Sequence, residues 1–252
     1  MNEGPAPGSE VAPGVHRLGT DLVNWYLVVD RDGELTAVDS GLSGYADLMG
    51  HEFEALGRQP EDVRAVVLTH AHSDHTGLAG RLADAGGRVL IHADDAGLAA
   101  RPRPQRTDRS PLRAIATSGT ARRFFLRMAR AGGLRPPRLT DVETFADGDE
   151  LDVPGRPRVL HTPGHTEGHC SLHFPQHGVL FAGDLLCTWH FVTGRTGPQT
   201  MPRAANVNTE QSVASLARIE PVEASLVLPG HGDPFSGSPA DAAAAARAVE
   251  PV

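Results

Sequence analysis

The chain has 252 residues and contains no lysine, so all 23 of its lysine-or-arginine positions are arginines. Cysteine is scarce as well: Cys170 and Cys187 are the only two, which excludes a disulfide framework and predicts reduced thiols in core strands. No apolar run comes near the roughly 18 residues that predict a transmembrane helix. The net charge of −8 argues against a general nucleic-acid binder. These absences favour a globular protein with a sizeable core.

The first 14 residues are rich in glycine, proline and acidic side chains. They lack both the basic start and the apolar stretch of a secretory signal peptide. We therefore predict a short disordered lead-in over residues 1–14 and one domain over residues 15–252. Reduced cysteines and the missing signal predict a cytoplasmic location without a membrane span.

Four metal-capable side chains occur within six residues, directly after one predicted strand. The run is His70-Ala71-His72-Ser73-Asp74-His75, and the β-branched segment Val63 to Thr69 precedes it. Imidazole and carboxylate are ligands that zinc and similar divalent ions prefer. Side chains at the carboxyl ends of strands lie where open α/β sheets place their chemistry. The run therefore predicts a metal site.

Three later segments repeat the same order of an apolar run, a small turn residue and a metal-capable side chain. They span residues 158–165, 178–184 and 224–231, and they end in His165, Asp184 and His231. Glycine before or within each turn allows the backbone to bend tightly and to approach the site closely. Four separate segments with one pattern predict a single site built from several strand ends.

Together these motifs resemble the metallo-β-lactamase superfamily of hydrolases, and within it the glyoxalase II and lactonase-like branch. The matching motifs are His-x-His-x-Asp-His at 70–75, Pro163-Gly164-His165, Gly183-Asp184, Pro229-Gly230-His231 and Ala37-Val38-Asp39-Ser40-Gly41. The resemblance runs from about Val15 to Phe235. It implies an α/β fold, a four-layer αββα sandwich of two similar halves, with metals at one edge between the sheets.

The resemblance also implies ligands for two divalent ions, zinc first, with iron or manganese as alternatives. One ion would take three histidines: His70, His72 and His165. The other would take Asp74, His75 and His231. Asp184 would bridge the two ions. Asp39 and His169 would support the ligands from behind without binding metal.

For such a site the resemblance implies hydrolysis by a hydroxide held between the two ions, with Asp74 passing a proton to the leaving group. We expect a small-molecule substrate with a thioester, a lactone or a related carboxylic ester. Two alternatives stay open: a phosphodiesterase, and a non-catalytic module that binds nucleic acid. The complete ligand set favours the enzyme. The sequence leaves the physiological substrate and the oligomeric state open.

Eleven of the arginines lie between Arg101 and Arg138, where Asp108 is the only acidic residue. We predict an inserted lid over residues 101–138, helical from about Leu112 to Ala131, that selects a substrate with an anionic group. The alternative is a solvated charged surface. The substrate pocket is expected to include lid residues and part of the loop after Asp184: Arg122, Arg123, Phe124, Phe125, Trp189, His190 and Phe191.

Overall fold

The computed structural model describes residues 9–252. Its strands are β1 (Ser9–Ala12), β2 (Val15–Gly19), β3 (Asn24–Val29), β4 (Leu35–Val38), β5 (Val63–Val67), β6 (Arg88–His92), β7 (Glu143–Phe145), β8 (Arg158–His161), β9 (Cys170–Phe174), β10 (Val179–Gly183), β11 (Cys187–Trp189), β12 (Thr196–Gln199), β13 (Leu226–Pro229) and β14 (Phe235–Ser236). Its helices are α1 (Ala46–Ala55), α2 (Ala79–Asp84), α3 (Ala93–Ala100), α4 (Pro111–Thr117), α5 (Gly119–Arg130), α6 (Thr209–Ile219) and α7 (Pro239–Arg247). Among these helices, none has the length and apolar character that crossing a lipid bilayer requires.

Two β-sheets form the centre of the described structure. The first sheet has seven strands in chain order, β1 to β7, with antiparallel pairs from β1 to β4 and parallel pairs from β4 to β7. The second sheet has the order β14-β13-β10-β9-β8, and its β10–β13 pair is parallel. Strands β11 and β12 form a separate antiparallel pair. The four strands predicted to precede metal ligands are therefore confirmed as β5, β8, β10 and β13.

Helices cover the outer face of each sheet, which confirms the four-layer αββα arrangement. Between the sheets lies a buried aromatic cluster, in which the Phe181 ring is 5.1 Å from that of Tyr26 and 5.2 Å from that of Phe174. Helices α1, α2 and α3 contact strands of the first sheet, and α6 and α7 contact strands of the second. All side chains of β4 and β10 are buried, as expected for strands covered on both faces.

The structure corrects the predicted lead-in for the residues that it describes. Residues 9–12 form β1, which pairs with β2 through Glu10 opposite His16. The sequence gives little indication of this strand because glycine and proline surround it, and its pairing comes from the neighbouring strand. Residues 1–8 of the predicted lead-in lie outside the described residues.

The arginine-rich segment, residues 101–138, contains two helices where one was predicted. Ser118 separates α4 from α5 with an extended backbone at φ −122° and ψ 123°. Its hydroxyl accepts a hydrogen bond from the Ala121 amide at 3.1 Å and caps the start of α5. The break at Ser118 turns α5 so that Phe124 is buried while the arginines at 122 and 123 are exposed.

Asp95, in the first turn of α3, ties a loop of the first half to a loop of the second half. Its buried carboxylate accepts hydrogen bonds from the Ala71 amide at 2.8 Å, the Thr166 hydroxyl at 2.8 Å and the Gly168 amide at 2.9 Å. A Cβ atom at Gly168 would lie 2.5 Å from the Asp95 nitrogen, so this contact requires glycine. Asp95 therefore joins the loop containing His70 and the loop containing His165.

We predict that Asp95→Ala strongly lowers the free energy of unfolding. The change leaves three donors without their acceptor, each at a cost of about 1–3 kcal/mol when it stays buried. Denaturant unfolding of metal-free protein should therefore show a loss of about 3 kcal/mol or more. Asp94→Ala is the matched control, because Asp94 is exposed in the same helical turn. Equal losses in the two variants would contradict the role given to Asp95.

Candidate metal centre

The seven predicted ligands converge at one edge between the two sheets, where four strands end. The run from 70 to 75 follows β5, and Asp184 directly follows β10. His165 and His231 lie in the turns after β8 and β13. All seven are nearly or completely buried, apart from the half-buried His72. The side chains therefore face a common centre.

Three histidines form the first ligand group. The Nδ1 atom of His72 lies 2.8 Å from the Nε2 atom of His165. A ring nitrogen of His70 completes the group, with all three nitrogen atoms within 4.8 Å of one another. This spacing suits three ligands of one small cation.

Asp74, His75 and His231 form the second ligand group. The Asp74 Oδ2 atom lies 3.4 Å from Nε2 of His231 and 3.8 Å from Nε2 of His75. Asp184 lies between the two groups: its Oδ2 atom is 3.3 Å from Nε2 of both His165 and His231. Its Oδ1 atom is 3.6 Å from Nε2 of His75. One carboxylate thus contacts ligands of both groups.

Two glycines allow Asp184 to take this position. Gly183 has φ +55°, and a Cβ atom there would lie 2.7 Å from Nε2 of His169. A Cβ atom at Gly230 would lie 2.3 Å from Oδ1 of Asp184. The Gly-Asp and Pro-Gly-His motifs therefore have a steric basis, since a larger residue would displace the carboxylate.

An oxygen atom holds the outward-facing nitrogen of every ligand histidine. The pairs are His70 Nδ1 with Thr69 Oγ1 (3.0 Å), His72 Nε2 with Gln105 Oε1 (3.0 Å), His75 Nδ1 with Asp39 Oδ2 (2.8 Å), His165 Nδ1 with Asn206 Oδ1 (3.0 Å) and His231 Nδ1 with the Leu22 carbonyl (2.6 Å). When such an oxygen accepts, the ring proton stays on the outward nitrogen and the inward nitrogen keeps its lone pair. All five rings are therefore oriented as metal ligands, with His72 using Nδ1 and the other four using Nε2.

Seven buried side-chain polar atoms of the described residues lack a hydrogen-bond partner, and three of them face the site: His70 Nε2, His75 Nε2 and Asp184 Oδ1. Buried polar atoms rarely lack a partner, because leaving one unsatisfied costs free energy. A divalent cation would satisfy all three, and the nitrogen and oxygen donors match its preferences. The residues therefore fit a metal centre.

The charged and neutral groups divide between the two sides of the site. Burial lowers the pKa of His75, but the carboxylates of Asp184, Asp39 and Asp74 outweigh it and raise that pKa to about 9. Burial and neighbouring imidazoles hold the pKa of His70 well below its usual range. Without metal, the protonated His75 ring offsets the negative charge of the neighbouring carboxylates. A metal ion would replace this proton, so metal binding should release protons.

Asp39 and His169 each contact a predicted ligand. Asp39 has φ +59° and accepts from the Thr69 amide at 2.8 Å while it contacts His75. The Nε2 atom of His169 accepts a hydrogen bond from the Asp184 amide at 2.9 Å. Burial lowers the pKa of His169 to about 3, which keeps that nitrogen available as an acceptor.

An aromatic wall extends from the arginine-rich segment to the second ligand group. The Phe124 ring stacks on that of Phe191 at 4.5 Å and lies 5.8 Å from the His231 ring. Trp189 is 5.9 Å from Phe124, and Phe125 is 5.5 Å from Phe191. Four residues expected in the pocket are therefore grouped beside a predicted metal ligand.

His190, Arg122 and Arg123 are the other expected pocket residues, and the His190 ring lies 6.2 Å from that of Phe191. His190 is buried, and its Nδ1 atom accepts from the Thr193 amide at 3.2 Å; burial lowers its pKa to about 4. Arg122 and Arg123 are exposed on α5. The Arg122 guanidinium donates to two backbone carbonyls of α4 at 3.1 and 3.2 Å. Arg122 therefore ties the two helices together, and its place in the substrate pocket stays a prediction.

Sequence patterns did not identify the oxygen acceptors behind His70, His72, His165 and His231. Asn206 lies in a loop without a motif, and the Leu22 contact uses a backbone carbonyl that any residue would supply. Gln105 could have been noticed in the sequence, because it is the only amide side chain between residues 101 and 138.

A second cluster, formed by His92, Asp94 and His161, has metal-capable atoms within 4.8 Å of one another. The two imidazole rings are stacked, with centroids 4.2 Å apart and planes 10° apart. A metal ion binds in the plane of an imidazole ring, so one ion cannot lie in both stacked planes. This cluster is therefore unsuited to a shared ion.

Comparisons with known proteins agree with this geometry. The family model of the metallo-beta-lactamase superfamily matches residues 18–231, a range that includes all seven candidate ligands. The probable metallo-hydrolase YflN of Bacillus subtilis is 26% identical over 246 residues, which cover 91% of this chain and 88% of YflN. A hydroxyacylglutathione hydrolase of Gloeobacter violaceus is 29% identical over 172 residues, which cover 68% of this chain and 52% of that protein.

Solved structures with the same fold are also found. The metallo-beta-lactamase family protein TTHA1429 from Thermus thermophilus has a TM-score of 0.65 and 26% identity, covering 93% of this chain and 78% of that chain. TTHA1623, solved in a di-iron-bound form, has a TM-score of 0.58 and 28% identity, covering 87% of this chain and 92% of that chain. Both similarities extend over most of each chain.

Proposed function

Because the chain belongs to the metallo-beta-lactamase superfamily and is a metal-dependent hydrolase, we propose that it holds two divalent ions and cleaves a thioester, a lactone or a related carboxylic ester. Zinc is the first choice of metal, with iron or manganese as alternatives, because histidine and carboxylate ligands suit all three. The di-iron form of TTHA1623 supports both the number of ions and the iron alternative.

The observation that carries the proposal is the position of Asp184. Its two oxygen atoms lie 3.3 to 3.6 Å from ligand nitrogens of both groups. A carboxylate between two three-ligand groups could offer one oxygen to an ion on each side. When bound, the ions would lower the pKa of a shared water to about 7 and so supply a nucleophile at neutral pH.

Asp74 is suited to move the proton that the reaction requires. Its side chain is 12% exposed, whereas those of Asp184, His75 and His231 are at most 2% exposed. Asp74 is therefore the carboxylate of the site that reaches its open side. As the water oxygen bonds to the acyl carbon, Asp74 would take its proton and give it to the departing sulfur or oxygen.

The aromatic wall supports an acyl substrate. The half-buried Trp189 packs on Phe124, whose ring lies beside that of His231, so an acyl group on this wall would displace water. The name of the relative from Gloeobacter violaceus, hydroxyacylglutathione hydrolase, describes hydrolysis of a thioester. This distant similarity supports a thioester substrate.

Exposed arginines favour an anionic group on that substrate. Arg123, Arg127 and Arg130 lie on one stripe of α5, because residues three or four apart share a helix face. Arg127 forms an ion pair with Asp21 at 2.5 Å, which holds the stripe next to the turn at residues 21 and 22. The Leu22 carbonyl in this turn supports the His231 ring. We propose that residues 101–138 act as a lid over this side. The same stripe would also suit a phosphodiester, which is the second candidate substrate class.

We predict that Asp74→Asn lowers kcat for the best substrate by roughly 100- to 10,000-fold, the range expected when a general acid–base group is lost. Asparagine keeps the size and one oxygen of the side chain but carries no proton in this role. Cys170→Ala and Cys187→Ser are controls, because these buried thiols bond to the carbonyls of Gly168 and Thr200. A parental rate in Asp74→Asn, with metal content verified, would contradict the mechanism.

We predict that Arg123→Ala combined with Arg130→Ala raises KM for anionic thioesters far more than for neutral ones. The loss of two guanidinium groups removes attraction for charge and leaves the aromatic wall intact. A panel of thioesters, lactones and phosphodiesters, each in charged and neutral forms where available, would measure the effect on metal-loaded protein.

Arg135→Ala with Arg138→Ala is the matched control, since it removes the same charge away from α5. Equal effects on KM for charged and neutral substrates would indicate that the arginine stripe is a solvated surface. Faster cleavage of phosphodiesters than of any ester would favour the second substrate class. Tight, steeply salt-dependent binding of nucleic acid without hydrolysis would contradict the enzyme proposal.

A further inference from the structure

Gln105 in the arginine-rich segment makes a hydrogen bond to a predicted metal ligand. Its Oε1 atom lies 3.0 Å from Nε2 of His72. Both residues are half-buried, so the contact lies at the solvent side of the site. The acceptors behind the other ligand histidines come from outside residues 101–138. His72 is thus the ligand whose outward nitrogen is held by this segment.

The direction of this hydrogen bond determines which nitrogen of His72 faces the site. The amide oxygen of Gln105 accepts, so the proton lies on Nε2 and the lone pair lies on Nδ1. Nδ1 is the atom that lies 2.8 Å from Nε2 of His165. Loss of the acceptor would allow the His72 ring to rotate or to change its protonated nitrogen, and either change removes a donor from the first ligand group.

A set of hydrogen bonds fixes the backbone around Gln105 to the loop that supports His165. The Asp108 amide donates to the Asn206 carbonyl at 3.0 Å, and the Asp108 carboxylate accepts from the Thr209 amide at 2.6 Å. The Arg109 amide donates to the Arg203 carbonyl at 3.1 Å. Residues 105–109 and 203–209 are therefore held together.

The same loop orients the second histidine of the first group. Asn206 donates its amide N–H to the Met201 carbonyl at 3.1 Å, so its Oδ1 atom accepts from Nδ1 of His165. Gln105 and Asn206 thus support two ligands of one predicted ion, and the bond between Asp108 and Asn206 links the two supports.

We propose that Gln105 is a positioning residue through which the segment 101–138 sets the metal affinity of the first ligand group. When the segment is docked on the 203–209 loop, Gln105 holds Nδ1 of His72 toward His165 and the group is complete. When the segment moves away, His72 loses its acceptor and the first ion is held less tightly. This inference rests on the proposed two-metal function.

The test compares Gln105→Met with Gln105→Glu in the full-length protein. Methionine keeps the size of the side chain but lacks the oxygen, whereas glutamate keeps an acceptor for the Nε2 proton. Competition between the protein and a chromophoric chelator for zinc gives the affinities of both ions. The absorption spectrum of cobalt-substituted protein reports directly on the ligands of each ion.

Gln105→Met should weaken one of the two zinc affinities by roughly 10- to 100-fold, the range seen when the partner of a ligand histidine is removed. It should leave the other affinity nearly unchanged and alter the cobalt spectrum. Gln105→Glu should have the zinc affinities and the cobalt spectrum of the parent protein. Arg106→Ala, an exposed neighbour of Gln105, should match the parent. The melting temperature of the metal-free protein should be the same in all variants.

A second variant tests the link to the 203–209 loop. Asp108→Ala should weaken the same zinc affinity as Gln105→Met, because the Asp108 carboxylate holds the segment on the loop that carries Asn206. Unchanged affinities in Gln105→Met, in a parent that binds two ions, would overturn this inference while leaving the proposed function intact. A lower metal-free melting temperature without rescue by Gln105→Glu would also overturn it. A parent that does not bind two ions would overturn both.

Discussion

Five imidazole rings can hold metal together only if each keeps its lone pair on the inward nitrogen, and the rest of the site depends on this condition. An oxygen behind each ring meets it, from a carboxylate, a hydroxyl, two amides and a backbone carbonyl. These acceptors come from loops after different strands. The fold therefore acts on the chemistry mainly by placing acceptors behind histidines.

Charge balance is the second condition. Asp39, Asp74 and Asp184 lie around His75, and burial alone would make such a group of carboxylates unfavourable. Without metal, protons on His75 and His231 offset part of this charge, because the carboxylates raise the pKa of both rings. Two divalent ions would offset it more completely. The same carboxylates therefore serve ligand orientation, metal binding and proton transfer.

Most of the ligands could be predicted from sequence because they belong to short motifs at strand ends. Such motifs are local: four of the seven ligands lie within six residues, and glycine marks the other turns. The supporting contacts are not local, since Gln105 is 33 residues from His72 and Asn206 is 41 residues from His165. Asp95 is 73 residues from Gly168, whose amide donates a hydrogen bond to it. No periodicity or motif encodes such pairs, because they arise only when the two sheets pack.

The errors of the sequence-based predictions have the same origin. Strand β1 depends on its pairing with β2, and the break at Ser118 depends on a side-chain cap and on a bond from its hydroxyl to the Val192 carbonyl. The direction of the Arg122 side chain likewise follows from its bonds to two carbonyls of α4, which no local pattern indicates. Tertiary contacts decide each of these features.

Metal content per chain tests the central claim most directly. Elemental analysis of protein purified without chelator should give close to two transition-metal ions per chain. His231→Ala should lower the value toward one, because it removes a ligand of the second group and leaves the first group complete. A reproducible value near one in the parent, unchanged in His75→Ala and His231→Ala, would contradict the two-metal centre.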